Sequence, residues 1–466
     1  MPGIDGLRAL AVAAVFAYHA GLGWAQGGFL GVDLFFVISG FLITSLLLAE
    51  WQTSGSLRTL RFWGRRALRL LPALIVLLVV VSVAVPLLAP DQGYRLRGDV
   101  VAGLGYVSNW RLIFEQQSYF QEIGRPPVLQ HLWSLAVEEQ FYLLWPLVLF
   151  VLLIPMGRAR REPHRLIWPV LALAAVSAGL MAMLYDPDLD PSRVYFGTDT
   201  RAAGLLIGAA LACIPLRWNP SATRGIPRRL VLEAVGVAAV GGLCLCVVKV
   251  DQFDPRLYRG GFVAVAVLAA VAVAVVTHPA SWVGRVLACG PMVWLGRRSY
   301  AVYLWFWPVL MMTRAHSDVP LSGLPLLALQ IALTLALADA SYRWVERPIR
   351  AGALGRAWRE VREWAGRRSR RPGPITAGWA LGLGVATAAI ATALVVDHPV
   401  EAPPFASASA ASAAPAPTIA TTTTLPAVEI VAETTTTLAP VAEAPVPAEP
   451  PPVVAPAATP AGHVTA

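Results

Sequence analysis

Residues 58–88 read RTLRFWGRRALRLLPALIVLLVVVSVAVPLL. Five arginines lead into Leu70–Leu88, a stretch without a single charge. A stretch of that length crosses the hydrocarbon core of a bilayer, which takes about 17–25 apolar residues. The arginines mark the end at which it enters as cytoplasmic, because short cytoplasmic loops collect Lys and Arg. Outward from here the same kind of run recurs at Leu7–Trp24, Phe29–Ala49, Ser134–Ile154, Leu166–Tyr185, Gly197–Leu216, Leu230–Val250, Gly260–Val276, Leu321–Tyr342 and Ile375–Val396. Arg298–Met312 is shorter but is flanked like a span. Composition agrees: 56% of residues are hydrophobic and 14% charged, against roughly 25% charged in soluble domains. That excludes a soluble enzyme, a disordered protein and a disulfide scaffold. The chain reads as an all-α, polytopic membrane protein.

Arginine positions also settle the number of crossings. With the N-terminus inside, the loop Trp51–Arg69 is cytoplasmic, and Arg158, Arg160, Arg161 and Arg165 make the loop after Ile154 cytoplasmic too. An even number of crossings must separate the two loops, and Leu70–Leu88 and Ser134–Ile154 already supply it. Val100–Phe114 is therefore expected to be a re-entrant or outside interfacial helix. The modules that follow are a ten-span core at 1–350, an Arg-rich cytoplasmic linker at 351–374, an eleventh span at 375–396 and an extracytoplasmic tail at 397–466. The tail has no Lys or Arg and carries TTTTL at Thr421–Leu425 and again at Thr434–Leu438. Such an Ala/Pro/Thr-rich composition cannot bury a core, and disorder is expected.

The net charge of +9 lies in short loops between spans and not along a groove, so the bilayer is the expected partner and nucleic acid is not. Cys213, Cys244, Cys246 and Cys289 lie in or beside apolar runs and show neither a disulfide framework nor zinc spacing, so no metal site is expected. The first run begins almost at Met1 and holds Arg8 and His19, so it reads as a retained span.

Ionisable groups inside spans are costly and point to function. Arg8 and His19 are eleven residues apart, about three helical turns, so they share a face roughly 16 Å apart along the axis. Arg8 is near the cytosolic end and His19 in the outer half. Arg58, Arg61, Arg65 and Arg69 recur at helical spacing, with Arg66 three residues before Arg69. That stripe suits lipid headgroups and topology on one reading, and a polyphosphate clamp on the other. The segment HLWSLAVEEQFYLLWP places His131, Trp133, Glu138, Glu139 and Tyr142 at the outer start of a span, with Glu138 and Tyr142 on one face. Asp199 and Arg201 form another outer polar pair, for which the plainer role is an interfacial ion-pair network.

These segments resemble, in order, those of the membrane-bound acyltransferase-3 family, whose members O-acylate envelope polysaccharides, peptidoglycan, lipids and small glycosides. GIDGLRALAVAAVFAYHAG looks like the opening motif, with Arg8 and His19. GGFLGVDLFFVISGFLITSLL looks like the second span, with Asp33 and Ser39. RRALRLLPAL carries the paired arginines as Arg66 and Arg69, and LQHLWSLAVEEQFYLLWP carries the motif carboxylate as Glu138. GTDTRAAGLLIGAALA, LGRRSYAVYLWFWPVL, which contains Tyr303, and SYRWVERPIR follow in sequence order. The likeness covers about Ile4–Arg350. Two departures stand out. The family commonly has His where this chain has Phe306, and many relatives add an outside SGNH hydrolase domain after an extra span, for which the low-complexity tail has no room.

The resemblance implies an integral-membrane O-acyltransferase that moves an acyl group, acetyl by expectation, from cytosolic acyl-CoA to a hydroxyl of an envelope polysaccharide, peptidoglycan or glycolipid. No permanently bound cofactor is implied. Arg66 and Arg69 would hold donor phosphates, with Arg8 near the arm's entrance. His19 would act as base or covalent nucleophile, and Glu138 would orient it. Trp133, Glu139, Tyr142, Asp199, Arg201 and Tyr303 would bind or orient the acceptor. A separate extracytoplasmic partner protein is a further implication of the missing domain. The alternative is a transporter or flippase of an anionic envelope precursor, which intramembrane Arg, His and Glu would also serve. It would release no free coenzyme A.

Overall fold

The computed structural model describes residues 1–119, 125–156, 162–214 and 226–353, together with positions 355, 356, 359 and 384. The eleventh span and the tail expected from the sequence, and most of the linker before them, lie outside the described residues apart from those isolated positions.

The described residues form helices and no strand. In chain order these are α1 (Pro2–His19), α2 (Gly31–Ser54), α3 (Thr59–Leu88), α4 (Gly93–Leu104), α5 (Ser108–Phe114), α6 (Leu132–Leu153), α7 (Ile167–Leu184), α8 (Ser192–Phe196), α9 (Thr198–Cys213), α10 (Ile226–Lys249), α11 (Phe262–Thr277), α12 (Trp282–Leu287), α13 (Gly290–Met311), α14 (Gly323–Ser341) and α15 (Arg347–Arg350). Among the described residues, seven segments are long and apolar enough to cross a membrane: Gly28–Ser54, Thr59–Leu88, Leu132–Leu153, Pro163–Leu184, Arg228–Lys249, Leu257–Thr277 and Gly323–Arg350. The protein is an all-α polytopic membrane protein.

Three sequence expectations change in detail. The Arg-rich stretch before Leu70 is helical, as its spacing suggests, but it is continuous with the span and forms the first turns of the 30-residue α3. The real connection shrinks to the few residues around Gly55, which closes α2 in the left-handed conformation at φ +69° and donates its N–H to the Trp51 carbonyl. The short run Arg298–Met312 belongs to a 22-residue helix that begins at Gly290. Its Arg298 is neutralised by Asp339 of α14 at 2.8 Å, which makes a charge tolerable where hydropathy alone ends the segment. Val100–Phe114 is broken into α4 and α5 by a turn at Tyr106, φ +52°. Twelve and seven residues are each too short to span.

Packing places α1, α2, α9 and α13 at the centre. Small residues allow close backbone approach: Gly40 of α2 lies against Leu205 of α9, and Gly208 of α9 against Val37 of α2. Gly296 of α13 lies against the backbone of Asp5 on α1. Large apolar side chains such as Leu143, Val151, Trp168, Val176 and Val231 remain exposed on α6, α7 and α10. On a chain this apolar, such outward faces meet lipid, and the polar residues are left to collect inside.

Candidate active site

Two polar centres lie within the bundle. The first is a cavity of about 70 Å³ between α1, α2, α3, α6 and α13. Arg8, Arg66 and Arg69 line it together with Ser39, Ser134, Glu138, Tyr142, Ser299 and Tyr303. Packing turns Arg66 and Arg69 of α3 inward, although Arg69 shares the spacing of Arg58, Arg61 and Arg65, which stay exposed. Glu138 accepts hydrogen bonds from Ser39 and from Tyr142, one turn further along α6. The Arg66 guanidinium lies 5.5 Å from the Tyr142 ring centre. Among the described residues, none of the three arginines makes an ion pair with a carboxylate within 4.0 Å. Three guanidiniums and one carboxylate line the cavity, with Glu139 and Glu346 close enough to act on them, and the arginines suit an anionic ligand.

The second centre is His19, the last residue of α1. Its Nδ1 lies 2.8 Å from the Val15 carbonyl and its Nε2 2.8 Å from the Tyr119 hydroxyl. A carbonyl oxygen only accepts, so Nδ1 carries the proton and Nε2 presents its lone pair. Tyr119 donates to that lone pair in the structure. The ring sits in an aromatic shell, with centroids of Tyr18, Trp307 and Phe306 at 4.8, 5.0 and 5.5 Å. Phe306 is buried, and its ring packs against the very histidine that the sequence singles out.

The two centres do not merge. His19 does not line the arginine cavity, and Glu138 spends its hydrogen bonds on Ser39 and Tyr142, so the expected orienting contact from Glu138 to His19 does not form. Between the centres lie Tyr303, His131 and Phe306. The Tyr303 hydroxyl is 2.5 Å from Ser134 Oγ and donates to the His131 carbonyl at 3.0 Å. Its ring is 5.4 Å from that of Phe306.

The expected Asp199–Arg201 pair also resolves differently. Two residues apart on a helix, the side chains diverge. Asp199 pairs with Arg193 at 2.9 Å. Arg201 turns into the core and pairs with Asp33 of α2 at 3.0 Å, both side chains no more than 5% exposed. Phe36, Trp133, Tyr195 and Phe262 surround its guanidinium, the nearest ring centre at 4.2 Å. Trp133 is thus part of this aromatic cage and does not line the arginine cavity, and neither does Glu139. Sequence reasoning assigned no role to Tyr119, Ser134 or His131. Tyr119 carried no signal, since it sits in a segment without periodicity. His131 was visible as a polar residue at the start of α6.

A family model described as an acyltransferase domain matches residues 1–343. Over 352 residues the chain is 44% identical to the peptidoglycan O-acetyltransferase OatA of Listeria monocytogenes, covering 75% of this chain and 56% of that protein. Over 356 residues it is 44% identical to the Bacillus subtilis protein named "Putative peptidoglycan O-acetyltransferase YrhL", covering 75% of this chain and 55% of that protein. The chain spans a little over half the length of these curated relatives. No solved structure matches it.

Proposed function

The chain belongs to the acyltransferase family whose model spans residues 1–343, and on that premise we propose that it is a membrane O-acetyltransferase acting on a hydroxyl of an envelope carbohydrate, with peptidoglycan as the first acceptor to test. The relatives' names support the acetyl group and the acceptor class. The observation that carries the mechanism is the pair of centres: a cavity lined by three arginines, and an imidazole whose Nε2 lone pair is set by its Nδ1 bond to Val15.

In this reading acyl-CoA enters from the cytosol, where the arginine distribution puts the N-terminus, and its phosphates take Arg66 and Arg69, with Arg8 beside them. Glu138 stays with the donor cavity, holding Tyr142 and Ser39 in place. The acceptor hydroxyl replaces Tyr119 at His19 Nε2, which takes its proton as that oxygen attacks the thioester carbonyl and returns it to the departing thiolate. In the covalent variant Nε2 attacks the carbonyl and expels the coenzyme A thiolate; the acceptor hydroxyl then displaces the imidazole, and its proton passes by way of the imidazole to the thiolate. Either step uses a neutral imidazole. The aromatic shell around His19 keeps water from the thioester, so that hydrolysis does not compete. Mass spectrometry of envelope glycans from cells with and without the gene tests the reading. O-acetyl content should fall on deletion and return on complementation. Unchanged acetylation, with no coenzyme A released by the purified protein, rejects it.

A further inference from the structure

His131 stands one turn before Ser134 at the start of α6 and is only 3% exposed. Its Nε2 lies 3.1 Å from the Leu304 carbonyl of α13. Because that carbonyl can only accept, Nε2 carries the proton and Nδ1 is a bare acceptor in the neutral ring. Among the described residues, Nδ1 has no hydrogen-bond partner although it is buried. A buried acceptor without a donor is costly and uncommon, so Nδ1 is available to a group that brings an N–H or O–H.

Its surroundings say what. The His131 carbonyl accepts from Tyr303, and Tyr303 and Ser134 both line the arginine cavity. On its other side the His131 ring is 5.9 Å from Phe306, which in turn is 5.5 Å from His19. His131 therefore stands between the donor cavity and the reactive imidazole. Ser299 Oγ, in the wall of the same cavity, is also buried without a partner. The rings nearest to His131 are Tyr303, Phe306 and Trp307, none of them charged. The position suits a neutral N–H and not an ion.

We propose that His131 Nδ1 accepts a hydrogen bond from an amide N–H in the arm of the acyl donor, and so sets how far the thioester reaches toward His19. The proposal rests on the acyl-CoA reading of the cavity. A donor of that class carries phosphates at one end and a thioester at the other, joined by an arm with two amides. With the phosphates on Arg66 and Arg69 and the thioester at His19, the arm has to pass Tyr303, His131 and Phe306. His131 binds the arm and exchanges no proton with it.

The two ring nitrogens can be tested apart. His131→Gln keeps an N–H where Nε2 meets Leu304 but removes the acceptor at Nδ1. His131→Asn keeps an acceptor near Nδ1 and gives up the Leu304 bond. Acetyl-CoA affinity of each purified variant is measured by equilibrium binding. Loss of one neutral hydrogen bond should weaken binding about 3- to 10-fold in the Gln variant, with the Asn variant within about twofold of wild type. The reverse order, or no change in the Gln variant, overturns the proposal and leaves His131 a structural tie to α13. A second measurement needs no variant. Acetyl-CoA analogues with each arm amide replaced in turn by an ester are bound to the wild-type chain, and one of them should bind weaker by the same factor. Equal affinity for both also overturns it. If the wild-type chain binds no acetyl-CoA at all, the donor reading itself has failed, which is a distinct result.

Discussion

Gly40→Ala tests how tightly the fold holds the polar groups in register. A Cβ built at Gly40 would lie 1.8 Å from the Leu205 carbonyl oxygen and 2.7 Å from its carbon. Both are backbone atoms of α9, so no side chain can swing aside. Ordinary contact begins near 3.4 Å, so α2 and α9 must part locally by about 1.6 Å, within the strain range of an overpacked core. The Asp33–Arg201 bond at 3.0 Å bridges the same two helices and would stretch past hydrogen-bonding distance. Overpacking alone costs about 1–3 kcal/mol, and the weakened buried pair adds to it. Equilibrium unfolding in mild detergent measures the loss. Gly241→Ala on α10, where nothing lies within 4 Å, is the control, and should be neutral or gain up to about 1 kcal/mol from helix propensity. A Gly40→Ala protein as stable as this control would refute the close-packed α2–α9 contact.

Three further outcomes follow from the same geometry. Asp33→Leu should destabilise the protein by about 3–5 kcal/mol by stranding the Arg201 charge, whereas the double variant Asp33→Leu with Arg201→Met should lose less; the unfolding cycle completed by Arg201→Met gives the coupling, and additive losses contradict the pairing. Arg66→Ala or Arg69→Ala should weaken acetyl-CoA binding by about 1.5–3 kcal/mol, roughly 10- to 150-fold, with Lys rescuing only partly; unchanged affinity in both would reduce the stripe to a topology signal. In the loop after α13, burial pushes the Asp318 carboxyl up, but hydrogen bonds from Arg314 and Arg125 outweigh it and hold the group below the usual carboxylate range. A depressed folded value means the stabilisation is present above the unfolded value near 3.9 and is lost as pH falls through the folded one. Hydrogen-exchange protection across 311–319, corrected for the intrinsic pH dependence of exchange, should therefore stay flat from pH 8 to 5 and fall only below about pH 4; a loss of protection between pH 7 and 5 contradicts the clamp.

Much of the architecture was legible because a bilayer leaves few options. Apolar run length gives the helices, and arginine parity correctly refused to make Val100–Phe114 a span. The misses share a cause: the sequence shows periodicity along one helix but not which helices touch. Arg66 and Arg69 could be read as candidates from spacing, yet only packing turns them away from Arg61 and Arg65 and toward Arg8. Asp199 and Arg201 look like partners because they are close in sequence, while Arg201 finds Asp33 across the bundle. Glu138 and His19 both stood out as buried ionisable groups, but Tyr303, His131 and Phe306 stand between them. The Arg298 charge shortened α13 on paper because its neutralising partner, Asp339, lies on the next helix.

The central claim is that donor binding and acyl transfer reside in two separate centres, with His19 carrying the transfer. The direct measurement is acetyl-CoA binding and acceptor acetylation, side by side, on purified His19→Ala protein. The variant should fold and bind acetyl-CoA as the wild type does, since Arg8, Arg66 and Arg69 are untouched. Its acetylation should fall by at least about 10²–10⁴-fold, the contribution of a general base, and further if Nε2 is the nucleophile. Wild-type acetylation from a normally folded His19→Ala protein would contradict the account.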